Sequence, residues 1–344
     1  MGTQLGLHTF QLSYVEVEPG VMLPDLADLI MQRLEHGKPL RFDHDLTSIA
    51  KQALRQVEEK RDAKPKLRMS RSGGCVKHLS YIAHGVEPVK RHNWDPSHID
   101  AGSKLTFTIG DVTESVLNAV LQEVIAESSL LELEDTGQGQ VEVSITVGDV
   151  TIDGHPDGFL AVPLMRDGVG HDRDVRCVWE VKSMADYGYR LFRSVGLTEE
   201  DSYYWQTQAY MGAENLVAEN EGRRPVEWAY IIGYGKTTTA RDTETHDDGT
   251  WNKRPPIHGQ WIRYDPAALQ YVVSKFAHAI EVEPDDIARP YAPKTGKKTK
   301  GQLGFPCGWC SHAFNCFPNA TVRATEGGFY MRTNKVVIHA NEQE

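Results

Sequence analysis

A mixed α/β fold around a central sheet is what this chain predicts, and three observations carry that reading. Helical and extended periodicities alternate through the middle of the sequence instead of segregating into separate halves. Val175 to Val181 and Val226 to Ile232 are β-rich apolar runs of strand length. Gly148-Asp149 separates two stretches that alternate with period two, which is the signal of a hairpin.

Taken in order, residues 41 to 62 read as a helix, with Leu46, Ile49, Ala50, Leu54 and Val57 on one stripe. The Lys-, Arg- and Gly-containing stretch 61 to 74 reads as a linker, and Cys75 opens a short helical pattern through Ile82. Val112 to Ser128 has helical spacing, with Val116, Leu117, Val120, Leu121 and Ile125 apolar. Val141 to Val147 and Val150 to Asp153 are the hairpin strands, and Phe159 to Val162 continues as a third. After the run at Val175, Thr198 followed by Glu199-Glu200-Asp201 supplies a cap and first-turn acids for a helix to about Asn220. The run at Val226 comes next, then a strand at Trp261 to Tyr264, and Asp265-Pro266 caps a last helix to about Val282. The order is helix, three strands, helix, strand, strand, helix, with no internal repeat.

The chain has 344 residues, 40% hydrophobic and 25% charged, the composition of an ordinary globular protein with room for one large domain or two small ones. No stretch approaches the ~20 apolar residues that span a bilayer. The first residues, Met1-Gly2-Thr3-Gln4-Leu5, lack the features of a signal peptide, so a cytoplasmic protein without a membrane partner is expected. Five cysteines in a reducing compartment point to metal binding or burial. A net charge of −11 argues against a protein that coats nucleic acid non-specifically. An enzyme acting on DNA needs only a local basic track. Two are candidates: Lys64, Lys66, Arg68 and Arg71, and then Lys294, Lys297, Lys298 and Lys300. Each also reads as a solvated loop.

Pro156-Asp157, then 22 residues, then Glu180-Val181-Lys182 carries the chemistry. Asp157 falls at the end of one strand and Glu180 on the next, so both carboxylates can meet at one sheet edge. Glu180 and Lys182, two apart in a strand, share a face. Carboxylate oxygens suit Mg2+ or Mn2+. An acid and a lysine inside an otherwise apolar strand need compensation, which a metal would give. The same letters also fit a strand pair with ordinary surface charges. The pattern resembles the PD-(D/E)xK nuclease motif. Gly110-Asp111-Val112-Thr113-Glu114, read as the start of a helix, resembles the first motif of RecB-type and lambda-exonuclease-like enzymes. Related four-cysteine members have His where this chain has Glu114, which agrees with the phage-exonuclease side. Gln206-Thr207-Gln208-Ala209-Tyr210 resembles the Gln-x-x-x-Tyr motif of the same family, with both named residues on one helix face.

Cys307-x2-Cys310-x5-Cys316 and the distant Cys75 resemble the iron–sulfur staple of AddB-type and CRISPR-associated RecB-like nucleases. Four thiolates suit a 4Fe–4S cube, and a four-cysteine zinc site is the chemical rival. With 231 residues between Cys75 and Cys307 the job would be structural, akin to closing a long loop. Cys177 reads as a small buried hydrophobe. Gly235-Lys236-Thr237 ends like a P-loop, but the first glycine would fall at Tyr230, so it reads as the end of a core strand.

The resemblance implies a restriction-endonuclease-like core, a central mixed sheet flanked by helices, with an iron–sulfur subdomain. It implies residues 1–70 as an N-terminal helical extension, 71–318 as the nuclease domain and 319–344 as a tail. It further implies a Mg2+- or Mn2+-dependent DNA exonuclease that processes ends in recombination or repair. Asp157, Glu180, the Val181 carbonyl and Glu114 would hold metal, Lys182 would activate water, and Gln206 with Tyr210 would position the strand. Two rivals stay open: a nuclease-like module that binds DNA without cutting it, and a zinc or iron–sulfur structural protein whose acids are incidental. A helicase or recombination-protein partner and a homo-oligomer also stay open.

Overall fold

The computed structural model describes residues 13–36, 66–90, 101–128, 131–135, 141–167, 171–236, 243–245, 251–253, 255–293, 295, 302–303, 307, 310–325 and 335–339. They fall into two compact units. One lies within Met1–Ala63, Arg68–Gly73 and Leu105–Tyr271, the other within Lys64–Leu67, Gly74–Lys104 and Val272–Glu344. No helix among the described residues is long and apolar enough to cross a membrane.

In chain order, β1 (Tyr14–Glu18), β2 (Val21–Pro24) and α1 (Leu26–His36) precede a 3-10 turn at Met69–Arg71 and α2 (Val76–Ala83). α3 (Ala101–Glu127) leads to β3 (Glu132–Asp135), β4 (Val143–Val147), β5 (Val150–Gly154), β6 (Gly158–Arg166) and β7 (His171–Met184). α4 (Asp186–Val195) and α5 (Ser202–Glu221) then lead to β8 (Val226–Gly235). Next come β9 (Thr243–Thr245), β10 (Trp251–Lys253), β11 (Ile257–Arg263) and α6 (Pro266–Glu281). A 3-10 turn at Pro284–Asp286, the one-turn α7 (Ala313–Cys316), β12 (Thr321–Thr325) and β13 (Lys335–His339) follow.

The first unit is built on a sheet with the order β1-β2-β6-β7-β8-β11, with β3 also pairing β6. All its pairs are antiparallel except β7 with β8, which run parallel and are joined through α4 and α5. A parallel pair requires such a crossover. Along β7 the two faces divide by period two. Val175, Cys177, Trp179 and Val181 join Leu160, Val162, Tyr230 and Trp261 in one apolar core. That core is closed by Leu26, Leu29 and Ile30 of α1 and by Leu117, Val120, Leu121 and Val124 of α3. Arg176 and Glu180 occupy the opposite face, where Arg176 Nη1 donates to Glu214 Oε1 of α5 at 2.7 Å and Gln206 of α5 meets Glu180. The register pairs Gly158, the first residue of β6, with Trp179. β7 therefore runs on past β6, and its edge from Glu180 onward borders the residues that enter β6.

The second unit holds α2, the later part of α6 and a small core of Leu303, Ala313, Phe314, Phe317 and Ala320, against which Cys307, Cys310 and Cys316 pack. Lys77 of α2 is buried, and its ammonium donates to the carbonyls of Pro284 at 2.6 Å and Ile287 at 2.7 Å. Ser80 Oγ donates to the Val282 carbonyl at 2.7 Å. A buried cation is tolerated there because carbonyl oxygens replace its water.

The mixed α/β class and the central sheet match the expectation. The hairpin around Gly148 forms with alternating burial, but as a two-stranded sheet of its own, outside the central one. Thr198 lies in a turn, where its N–H donates to Asp201 Oδ2 at 3.0 Å, and the helix begins at Ser202. Asp265 does cap α6, its Oδ1 accepting from Ala267 N at 2.8 Å. Residues 14 to 24 are not a helical extension: they form β1 and β2, and β2 pairs with β6. Burying Leu26, Leu29 and Ile30 of α1 contributes roughly 5–9 kcal/mol, which makes this segment integral to the core. The linker reading of 61 to 74 also changes, since Met69 is fully buried and Arg68 bridges Asp153. The helix expected at 41 to 62 lies outside the described residues, as do Lys64, Lys294, Lys297, Lys298 and Lys300. Beyond residue 318 the described backbone forms a hairpin of β12 and β13.

Candidate functional site

The register that opens the edge of β7 assembles the first site. Asp157 immediately precedes β6 and lies across from Glu180. Its backbone N–H donates to Glu180 Oε2 at 3.2 Å, and its own Oδ2 accepts from Val181 N at 2.7 Å. Val181 thus enters the cluster through its N–H. Glu114 reaches the same place from α3 and shares a hydrogen bond with the Asp157 carboxyl. Gly110 explains how. It lies inside α3, not at its start, and an added Cβ would stand 2.8 Å from Ser183 Oγ of β7. The missing side chain lets the helix approach the sheet, and Glu114 follows one turn later.

Lys182 pairs with Glu180 Oε1, and its ammonium stands 5.6 Å from the centroid of the Tyr203 ring. Gln206 Nε2 donates to Glu180 Oε1 at 3.0 Å and to Tyr210 OH at 2.7 Å, so one amide holds both partners. The ring of Tyr210 lies over Gly154, where an added Cβ would meet it at 2.5 Å and Met69 Sδ at 2.7 Å. Glu114, Asp157, Glu180, Lys182, Gln206 and Tyr210 are therefore brought together. Met69, Gly154 and Tyr203 complete the surroundings. The short motifs gave no signal for them, because each acts by shape or ring position instead of charge.

Electrostatics define what this cluster lacks. Burial and then the Glu114 charge push the Asp157 carboxyl well above the usual carboxylate range, against the opposing pull of Lys182. Burial pushes Glu180 up to about 7; Lys182 opposes this and Asp157 adds to it. Burial alone would lower Lys182, but Glu180 and Asp157 outweigh it and hold the ammonium charged. Tyr210 is raised by burial and then by Glu180. Burial and the mutual repulsion of the carboxyls leave the Asp157 and Glu180 anions under-compensated by Lys182. That imbalance, with oxygen donors only, fits a hard divalent cation.

The second site is in the other unit. Cys75, Cys307, Cys310 and Cys316 line one cavity of about 250 Å3, together with Tyr81, Arg289 and His312. The sequence separation of Cys75 from the triplet is thus closed. Burial pushes the Cys307 thiol up to about 11, with Cys316 and Cys75 adding to it. Burial also raises Cys310 to about 12, a backbone hydrogen bond from His312 opposes this, and the other three cysteines add. Without a metal the Cys307 and Cys310 thiols keep their protons at neutral pH. None of the five cysteines forms a disulfide, and Cys177 is buried in the sheet core as expected. His312 is 1% exposed, accepts or donates at Ser311 Oγ (3.0 Å) and donates from Nε2 to the Val86 carbonyl at 2.9 Å. It stacks on Tyr81 with centroids 5.1 Å apart. Neither Tyr81 nor His312 was singled out from sequence.

Among the described residues no group of three or more His, Cys, Asp or Glu side chains stands in a ready metal-holding arrangement. In the first site the oxygens are engaged by Lys182, Gln206 and the Val181 N–H. In the second, burial holds the Cys307 and Cys310 thiols above their ordinary range. The donor sets fit the two kinds of metal, oxygen for a hard ion and sulfur for a thiophilic one.

No family model matches the chain, and no curated relative matches it. Two solved structures overlap it in part. LHK-Exo in complex with dAMP is 13% identical, covering 64% of this chain and 90% of that one at a TM-score of 0.33. The alkaline exonuclease LHK-Exo from Laribacter hongkongensis is 16% identical, covering 66% and 94% at a TM-score of 0.26.

Proposed function

We propose that the chain is a Mg2+- or Mn2+-dependent DNA nuclease, acting as an exonuclease on DNA ends, with a four-cysteine metal staple in its second unit. One observation carries the reading. Glu114 from α3, Asp157 before β6 and Glu180 from β7 meet beside the ammonium of Lys182. Surface charges do not gather in a buried pocket without compensation.

In this reading Glu114, Asp157, Glu180 and the Val181 carbonyl hold the ion. A divalent ion there supplies Lewis acidity towards the phosphate and a bound water of lowered pKa. The chain's own residues do the rest. Lys182, kept charged by Glu180 and Asp157, orients the attacking water and offsets charge at the phosphate. Gln206 fixes the Glu180 carboxylate and the Tyr210 hydroxyl at once. Tyr210 accepts from Gln206 and keeps its own proton for a phosphate oxygen of the strand. Cys75, Cys307, Cys310 and Cys316 would hold a 4Fe–4S cluster, with zinc as the rival, and the role is structural. Such thiols suit a cytoplasmic, reducing setting. A recombination or repair context, a helicase partner and a homo-oligomer extend the same reading.

The test uses anaerobically purified protein with labelled linear and circular DNA, in Mg2+, Mn2+ or chelator. Metal-dependent loss of linear DNA is expected, with Lys182→Ala at least about 100-fold slower. Cleavage that persists in chelator, or at the parent rate in Lys182→Ala, overturns the assignment. Iron, sulfide and zinc analysis with an absorption spectrum separates the two staples.

A further inference from the structure

Tyr81 of α2 is buried, 4% exposed, and among the described residues its hydroxyl has no hydrogen-bond partner. A buried phenol normally finds one. Leaving the group unpaired costs about 1–3 kcal/mol, so its retention asks for a function. The ring is fixed from two sides. His312 stacks on it at 5.1 Å with 6° between planes, and Lys77 Nζ lies 5.9 Å from its centroid while donating to two carbonyls. His312 is itself tied to the Val86 carbonyl and Ser311. The phenol is therefore a rigid donor on the wall of the cavity that the four cysteines line, within electrostatic reach of Cys316 and Cys310.

We propose that the Tyr81 hydroxyl is a positioning donor for the four-cysteine site, donating a hydrogen bond to a cysteine sulfur once that sulfur is metal-bound. The inference rests on the reading of the cysteines as metal ligands. Among the described residues the hydroxyl meets no acceptor, sulfur included. Each sulfur loses its proton on binding metal and becomes an anionic acceptor. A donor on that wall that reaches such a sulfur stabilises the more negative state of the site and slows ligand loss. Arg289, on the same wall and 4.8 Å from the Phe317 ring centroid, adds positive charge to it.

Full-length protein and Tyr81→Phe are purified anaerobically and their iron, sulfide and zinc contents measured. Phe keeps the ring and its stacking on His312, so both proteins are expected to load equally. The variant is expected to release its metal to a chelator about 10–100-fold faster. For an iron-loaded site, its midpoint potential is expected to move lower, and the shift of the Fe–S stretching bands in D2O to shrink. Equal loading with the same release rate, and with the same potential and D2O shift where iron is bound, overturns the role of Tyr81 and leaves the cysteine site standing. A parent protein that binds neither iron nor zinc overturns the cysteine site, and Tyr81 with it. If Tyr81→Phe fails to fold, Tyr81→Leu, which also lacks a donor, takes its place in the same release assay, with the same expected and refuting outcomes.

Discussion

Replacing Glu180 by Gln removes a charge and keeps a shape, and its consequence can be worked out from the buried cluster. Glu180 is 2% exposed, and burial carries its carboxyl from 4.5 to about 7. The folded chain therefore holds this proton more tightly than the unfolded chain does. For a raised acid, stability is complete below about 4.5 and is lost as pH rises through 7. The displacement corresponds to about 3 kcal/mol. At about 2.1 cal/mol/K per residue over 344 residues that is roughly 4 °C in Tm. The assay is thermal unfolding by circular dichroism in chelator, from pH 5 to 8.5, on the parent and Glu180→Gln. The variant loses the Lys182 ion pair at every pH, which offsets its curve, so the comparison is between slopes. The parent is expected to lose about 3 kcal/mol more than the variant across the range. Equal slopes would falsify the idea that this carboxyl is strained by its surroundings.

Other perturbations test neighbouring parts of the argument. Mg2+ added to chelator-treated parent should raise Tm more at pH 8 than at pH 5.5, because the carboxyl groups shed their protons as pH rises; a larger gain at pH 5.5 contradicts the site. Gly154→Ala drives a methyl against the Tyr210 ring and Met69, and should cost about 1–3 kcal/mol in denaturant unfolding. Gln206→Ala leaves the Glu180 carboxylate and the Tyr210 hydroxyl without their shared donor, a loss of about 1–3 kcal/mol. Lys77→Met should destabilise by a similar amount or more, since two buried carbonyls lose their partner; an unchanged midpoint would mean that water replaces the ammonium.

The sequence was most legible where chemistry and periodicity coincide. Glu180 and Lys182 stand out as charges in an apolar strand, and their neighbours Trp179 and Val181 do face the core. Gly148 announced its hairpin because a positive φ of 59° there favours glycine. Partnership was harder to read. β4 and β5 carry the right alternation, yet nothing in five residues says that they stand outside the central sheet. β1 and β2 escaped notice because Tyr14 to Glu18 alternates acids with apolar residues on a sheet edge. Gly110 was taken for a helix start because a glycine there suits a boundary. Its role is close approach, set by Ser183, seventy-three residues away. Tyr81 and His312 carry no motif, since their pairing exists only once α2 and the cysteine segment have folded.

The interleaving of the two units along the chain has a consequence for synthesis. Cys75 leaves the ribosome long before Cys307, with 231 residues still to come. At 5–20 residues per second that interval is roughly 10–50 s. Throughout it the first thiol has none of its three companions. The sheet-bearing unit can complete itself within that time, because its last segment, ending at Tyr271, emerges first. Nascent chains should thus acquire a folded carboxylate cluster before the sulfur-lined cavity exists, and closing that cavity becomes the last event of folding.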